Sequence, residues 1–335
     1  MSLLQNRLTL LRGMLKLKFK MAAMTDRTVD QDGFLIPGYL QKGLRERMHN
    51  LLWRILSPLP DRPYCALKYR VICGKFPNLV SPRSFTEKLQ ARKLYDRNPL
   101  FSRFIDKADA KTLIAERVGS EHIIPTLWVG TNLADVDWSK IALPVVVKPT
   151  HASGVGRFLY TEADVDRLLK NNPSAEWLAI DHASYNREWA YSRIKPRILI
   201  ESMLLVEGRV PWDYRLFTFN GKVSHIEIDI RENGRGYSCN YTPNWQKLPF
   251  YDRDYLGLYP GDVARPPQLD HMIHIAETVA RDIDFVRVDL YASADWVRVG
   301  ELTFYPGGGF EAFEPPEYDL LIGQKWQLGF EIPKR

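Results

Sequence analysis

Apolar and polar residues along the chain follow two rhythms, and the change falls near Pro125. Ahead of it, apolar positions recur every three or four residues, the spacing of a helix with one buried face. Residues 1–60 read as helical on this criterion, with a break at Gly33–Gly38 and a helix over Lys42–Ile55. The stretch Ser57–Pro63 holds three prolines and is expected to end that helix. Helical spacing continues over Thr86–Tyr95 and over Phe101–Val118.

Past Pro125, short β-branched and aromatic runs take over. Pro144–Lys148, Arg197–Glu201, Tyr214–Phe219 and Lys222–Ile230 predict strands. Asn220-Gly221 between the last two is a two-residue hairpin turn. Pro267–Ile283 returns to helical period, and Phe285–Tyr291 and Trp296–Phe304 predict two further strands. Strands with helices interspersed give an α+β class with mainly antiparallel sheets.

Composition narrows the setting. A chain of 335 residues, 45% hydrophobic and with nine Trp, has room for two or three packed lobes. The net charge of +6 suits anionic partners, but no block of like charges forms a nucleic-acid arm, so no nucleic acid is expected. Cys65, Cys73 and Cys239 form no C-x-x-C pair, which argues against a disulfide framework, a zinc site and thiol redox chemistry, and suits a reducing cytoplasm.

No apolar run approaches the roughly 20 residues of a membrane span. Residues 1–24 carry Arg7, Arg12, Lys16, Lys18 and Lys20 without an acid, and Leu4, Leu8, Leu11 and Leu15 share one helical stripe. Lysines interrupt the only apolar core a secretory signal could use. Two readings remain: a basic helix on the anionic inner face of a membrane, or a helix docking on protein. Arg7 and Lys18 within the apolar arc favour docking.

Three segments carry candidate chemistry. In P-V-V-V-K-P-T-H-A-S-G-V-G, Pro144–Gly156, a buried strand delivers Lys148, and Ser153, Gly154 and Gly156 let backbone N–H groups approach phosphate oxygens. The spacing is neither a Walker A nor a dinucleotide motif, and a plain turn is the alternative. His151 in this loop either touches phosphate or lies on the surface, the latter preferred.

Asp289 in R-V-D-L-Y and Glu301 in G-E-L-T-F-Y-P-G-G-G fall on runs joined by a turn at Ala292–Asp295. A hairpin there sets two carboxylates side by side, which demands a cation. Either a hard ion such as Mg²⁺ supplies it, or each acid pairs with an arginine such as Arg287 or Arg298. In D-Y-R-L-F-T-F-N-G, strand alternation puts Asp213 and Arg215 on one face. Such a pair can bind ribose hydroxyls and a phosphoryl or carboxylate group, or form a surface salt bridge. Tyr305 and Gly307–Gly309 either border a site or make a turn closing the sheet. Trp212, Tyr241 and Trp245 either stack on a sugar or pack in the core, the latter preferred.

Taken in order, these segments resemble the ATP-grasp ligases over about Asp106–Gly309. S-P-R-S-F-T-E-K-L-Q, D-Y-R-L-F-T-F-N-G, R-V-D-L-Y and G-E-L-T-F-Y-P-G-G-G are similar to the TupA-like branch, extending the likeness to about Leu79–Gln327. That branch is associated with teichuronopeptide, capsule and cell-wall polysaccharide biosynthesis.

The resemblance implies an ATP-grasp fold, with two α+β subdomains gripping ATP behind a mainly helical N-terminal region. It divides the chain into an N-terminal segment 1–60, a region 61–135, a lid subdomain 136–212 and a C-terminal subdomain 213–335. It implies that Lys107, Lys148 and the His151–Gly156 loop contact ATP phosphates, that backbone near Glu201 and Met203 holds adenine, and that Asp213 binds ribose. Arg215 and Arg287 become catalytic candidates, and Asp289, Glu301 and Thr303 the Mg²⁺ ligands.

The implied reaction joins an amine to a carboxylate, a uronic acid or similar group, through an acyl phosphate. A sugar phosphotransferase, a metal-dependent glycosyltransferase and a non-enzymatic binding protein are the competing expectations. Two departures stand out. Thr303 occupies a position where the family commonly has Asn, and residues 25–130 lack the β-α-β texture of the usual N-terminal domain.

Overall fold

The computed structural model describes residues 53, 55–232 and 235–333, together with two short strands near the N-terminus. Those strands, β1 (Thr28–Val29) and β2 (Leu35–Ile36), pair antiparallel and correct the all-helical reading of residues 1–60. The basic stripe of residues 1–24 and nearly all of the Lys42–Ile55 helix lie outside the described residues.

Helix α1 (Asp61–Cys73) starts inside the proline stretch that was expected only to terminate a helix. Pro60 sits at its N-cap and Pro63 in its first turn, where a missing N–H breaks no intrahelical bond. Helix α2 (Phe85–Tyr95) opens on a capping box made by Ser84 and Glu87. Phe85 at its start packs against Phe217, Phe219, Phe285, Phe313 and Trp326, with ring centroids 5.0–6.1 Å away.

Each of the two helices buries a lysine whose ammonium bonds to uncharged oxygens rather than to a carboxylate. Lys68 and Lys93 are each 1% exposed. Lys68 donates to Tyr185 O and Asn186 Oδ1 at 2.8 Å and lies 3.6 Å from the Tyr185 ring centroid. Lys93 donates to Gly308 O at 2.7 Å. Burial pushes the Lys68 ammonium down to about 7.

The Phe101–Val118 run is two helices, α3 (Leu100–Ile105) and α4 (Asp109–Val118). The break has a local cause. The Asp106 carboxylate accepts from the N–H groups of Ala108 and Asp109 at 2.9 and 3.1 Å, replacing helical partners and restarting the chain in a new direction.

A four-stranded sheet follows, built from β3 (Thr126–Gly130), β4 (Val145–Pro149), β5 (Arg157–Leu159) and β6 (Ile198–Ser202) in the order β3-β6-β4-β5. Helices α5 (Glu162–Asn171), α6 (Ser174–Leu178) and α7 (His182–Asn186) lie between its last two strands in sequence. Val145, Val147, Ile198 and Ile200 pack with Leu168 and Trp177 in its core.

A six-stranded sheet comes next. Its strands are β7 (Asp213–Phe219), β8 (Lys222–Glu232), β9 (Arg235–Tyr241), β10 (Lys247–Leu248), then, after β11 (Tyr251–Asp252) and helix α8 (Leu269–Val279), β12 (Phe285–Ala292) and β13 (Val297–Thr303). The order is β10-β9-β8-β7-β12-β13, and every ladder is antiparallel. β14 (Phe313–Glu314) pairs with β11, and α9 (Glu317–Gln324) closes the fold.

Asn220 and Gly221 have φ of 50° and 76°, the positive pair that a tight hairpin between β7 and β8 needs. Met272, Ile275 and Val279 of α8 seal one face of this sheet together with Leu216, Ile226 and Val288. The class is α+β with antiparallel sheets, as the sequence pattern predicts.

Candidate active site

A cleft of ≈ 410 Å³ is lined from both sheets, with Lys107, Lys148, Glu201, Asp213, Asp289 and Glu301 among its walls. The four-stranded side supplies cations. Strand β4 pairs with β6 so that Val146 lies opposite Glu201, which puts Lys148, two residues on, beside the same carboxylate. Lys148 ion-pairs with Glu201 Oε1, and Lys111 of α4 reaches Oε2 at 2.8 Å while also donating to Ile124 O at 2.8 Å. Burial opposes the charge on Glu201, yet Lys148 and Lys111 hold it below the usual carboxylate range.

The helix break aims Lys107 at the same space. Its ammonium donates to Ala152 O at 2.8 Å and lies 3.8 Å from Glu301 Oε2. Burial is the main influence on it and lowers its pKa, with Glu301 opposing. Arg197 fixes the break from the other side, 2.9 Å from Asp106 and 2.7 Å from Asp109. Gly154 in the following loop has φ +72°, a left-handed conformation open to glycine at little cost.

The six-stranded side supplies carboxylates. Asp289 and Glu301 are direct cross-strand partners on β12 and β13, at a register shift that follows Asp289. Asp289 is 3% exposed, whereas the Glu301 side chain is 37% exposed. Arg287 grips Asp289 with two bonds of 2.7 and 2.6 Å and lies 3.9 Å from Glu301. Burial raises the Asp289 pKa in spite of Arg287. Burial also works against Glu301, but Lys107, Arg287 and Lys148 outweigh it and bring that carboxylate to about 2. The arginine pairing weighed from sequence is therefore present at Arg287. Arg298 instead donates to Val297 O beside the Trp296 ring.

On β7, Asp213 and Arg215 share a face and a 3.0 Å hydrogen bond. Arg215 is further enclosed by Tyr255 OH at 2.8 Å, Glu227 at 3.4 Å and Asp229 at 3.8 Å. Burial disfavours its charge, but Asp213 and Glu227 raise its pKa well above the usual value.

Lys107, Lys148, Ser153, Gly154, Gly156, Glu201, Met203, Asp213, Arg215, Arg287, Asp289 and Glu301 all line this one cleft. Thr303 stands just behind, with its hydroxyl 3.4 Å from Glu301 Oε1 and 3.3 Å from Arg287 Nη2. His151 is the exception among the loop residues. It is 4% exposed rather than at the surface, neither ring nitrogen has a hydrogen-bond partner among the described residues, and burial lowers its pKa. Met203 donates its N–H to Pro144 O at 3.1 Å, which continues the β4–β6 ladder.

Tyr241 is buried as core and stacks on Trp245 at 4.4 Å, but Trp212 is 48% exposed, contrary to its expected core role. Lys111, Glu227 and Asp229 went unrecognised in the sequence. Only the DK-x-x-x-K spacing of Lys107 and Lys111, one helical turn apart, pointed to the first of them.

Two antiparallel sheets closing on a lysine-and-carboxylate cleft define an α+β protein of the ATP-grasp fold. The family model described as TupA-like ATPgrasp matches residues 87–327, and the chain belongs to that family. No curated protein matches the chain.

Among solved structures, D-alanine–D-alanine ligase from Bacillus anthracis complexed with ATP is similar at 13% identity, over 61% of this chain and 55% of that one, with a TM-score of 0.36. The ATP-grasp ligase PsnB complexed with minimal precursor, Mg and ADP is similar at 14% identity, over 79% of this chain and 66% of that one, with a TM-score of 0.35. The chain thus spans little more than half the length of the first of these relatives.

Proposed function

We propose that this protein is an ATP-dependent carboxylate–amine ligase that forms an amide through an acyl phosphate. The substrate carboxylate is a uronic acid or similar group on a precursor of capsule or other cell-surface polysaccharide, and the amine is an amino acid or related molecule. The observation carrying this reading is the cross-strand pair Asp289–Glu301 in the same cleft as Lys107 and Lys148.

The donors suit Mg²⁺. Two hard carboxylates stand together, one of them open to the cleft, with the Thr303 hydroxyl alongside. Among the described residues no cluster of three or more His, Cys, Asp or Glu side chains suited to a metal occurs, so phosphate oxygens and water would complete the shell. Bound there, Mg²⁺ would neutralise phosphate charge.

In this reading Lys107 and Lys148 draw the phosphates in, and the Ser153–Gly156 loop closes over them and excludes water. Asp213 takes the ribose. Backbone around Glu201 and Met203 meets adenine through groups other than the Met203 N–H, which is already donated. A substrate carboxylate oxygen attacks the γ-phosphorus and ADP departs. The amine nitrogen then attacks the acyl carbon, phosphate leaves and the nitrogen loses its proton. Arg287 and Arg215 stabilise the charge that develops, which is the main demand of phosphoryl and acyl transfer.

The division 1–60, 61–135, 136–212 and 213–335 is retained, with β3 crossing from the second part to complete the lid sheet. A cytoplasmic location fits the proposed substrates, with the inner membrane face as the alternative raised by residues 1–24. Among the described residues no helix is long and apolar enough to cross a membrane.

The test is a screen of amino acids against uronic-acid acceptors, reading ADP release and product mass. Amide products, with free phosphate released only when carboxylate and amine are both present, support the ligase. A phosphorylated sugar formed without any amine would replace it with a phosphotransferase.

A further inference from the structure

Four cations of the cleft rest on internal carboxylates: Lys148 on Glu201, Lys107 on Glu301, Arg215 on Asp213 and Arg287 on Asp289. A polyphosphate entering the cleft competes for these cations, and each one it draws away leaves an acid behind. A buried carboxylate stripped of its partner is strongly unfavourable. At the Asp289–Glu301 end, the two carboxylates could hold a divalent cation, which would restore the balance. Glu201 lies on the other wall, its side chain 4% exposed, and any replacement there has to come from the protein.

Lys111 is built for that task. Its ammonium is pinned at two points, Ile124 O and Glu201 Oε2, both at 2.8 Å. It stands in the first turn of α4, whose start is locked by Asp106 and Arg197. The Lys148 ammonium, by contrast, makes no hydrogen bond other than that to Glu201 Oε1 among the described residues. The two ammonium groups divide the two carboxylate oxygens, one fixed and one free to leave.

We propose that Lys111 is a positioning residue that releases Lys148, keeping Glu201 compensated while the Lys148 ammonium turns to a phosphate of ATP. This rests on the reading of the cleft as an ATP site. Burial opposes the charge on Glu201, and Lys148 and Lys111 together hold its pKa below the usual carboxylate range. In this proposal Lys111 carries that role once Lys148 moves.

The test is a double-mutant cycle on binding of the non-hydrolysable analogue AMPPNP with Mg²⁺, measured by calorimetry on the full chain. Lys111→Met is expected to raise Kd about tenfold, the scale of one charge-assisted hydrogen bond. In a Glu201→Gln background, where no carboxylate retains Lys148, the same change is expected to alter Kd less than about twofold. Lys111→Arg should bind within about threefold of the unaltered chain, because it keeps the charge.

Equal losses from Lys111→Met in both backgrounds, or no loss in either, overturn the proposal. Thermal melts identify a variant that has not folded, and Lys111→Gln then takes the place of Lys111→Met. Lys148→Met separates the two levels of the argument. If it binds AMPPNP as well as the unaltered chain, the ATP-site reading itself falls, whereas a loss there with none at Lys111 overturns only the present inference.

Discussion

The cleft and the wall made by helices α1 and α2 both enclose lysines, but they satisfy them differently. Arg92 of α2, paired with Asp284, is held as the cleft cations are. In the cleft, Lys107, Lys148, Arg215 and Arg287 each lie against a carboxylate. In the wall, Lys68 and Lys93 are held by backbone carbonyls and aromatic rings, and neither forms an ion pair among the described residues. A carboxylate partner can be exchanged for a phosphate of like charge. A carbonyl inside a packed turn cannot. The contrast separates charges poised to change partner from charges that fix a shape.

The strongest way to break this contrast is at the carboxylates. Asp289→Asn is expected to lower the ADP-release rate by about 10³-fold, the scale seen when a group stabilising transferring charge is removed. A variant as active as the parent would remove Asp289 from the chemistry. Next, Lys148→Met should weaken AMPPNP binding by about 10- to 100-fold, as loss of one or two charged hydrogen bonds does. Calorimetry of that variant reads the effect directly.

The wall should answer in stability instead. Gly308 has φ +64°, and a Cβ there would collide with the Asn186 side chain, which also receives Lys68. Gly308→Ala is expected to cost about 2 kcal/mol of unfolding free energy, read from urea midpoints. A neutral result would mean that the turn can move and that the wall is less fixed than its contacts indicate.

The smallest effect is a slope. Lys68 releases its proton near pH 7 when folded, against an ordinary value of 10.5. The unfolded chain therefore binds more protons between these limits, so stability should rise with pH from 7 towards 10.5. The share of that slope due to Lys68 is at most about 1.4 kcal/mol per pH unit. Lys68→Met should flatten it, and an unchanged slope would show that Lys68 does not titrate in that window.

Much of the cleft was legible because its parts are strand-borne and periodic. Alternation alone placed Asp213 with Arg215, and the hairpin around Ala292–Asp295 placed Asp289 opposite Glu301. Helix-borne parts were harder to see. Neither proline nor glycine marks the break at Asp106, and the cause is a carboxylate capping two N–H groups, which resembles any other acid on a helix. Lys111 resembled a solvated lysine because its acceptor, Glu201, is 90 residues away in sequence. The acids around Arg215 come from β8, a neighbour that pairing supplies and local sequence does not. His151 was misplaced because a small-residue loop suggests exposure, whereas the fold covers it.

The nest around Phe85 bears on which piece of this chain can be made or recombined as a unit. The family match begins at residue 87, two positions after the aromatic ring that five residues of the C-terminal half enclose. A fragment cut at the match would lose that ring together with the Ser84 cap, and would expose Phe219, Phe285 and Trp326 to water. Tyr69 adds a further tie through its hydroxyl, 2.8 Å from Thr86 Oγ1. The smallest cassette for expression, or for grafting this cleft onto another acceptor-binding module, therefore carries α1 with it.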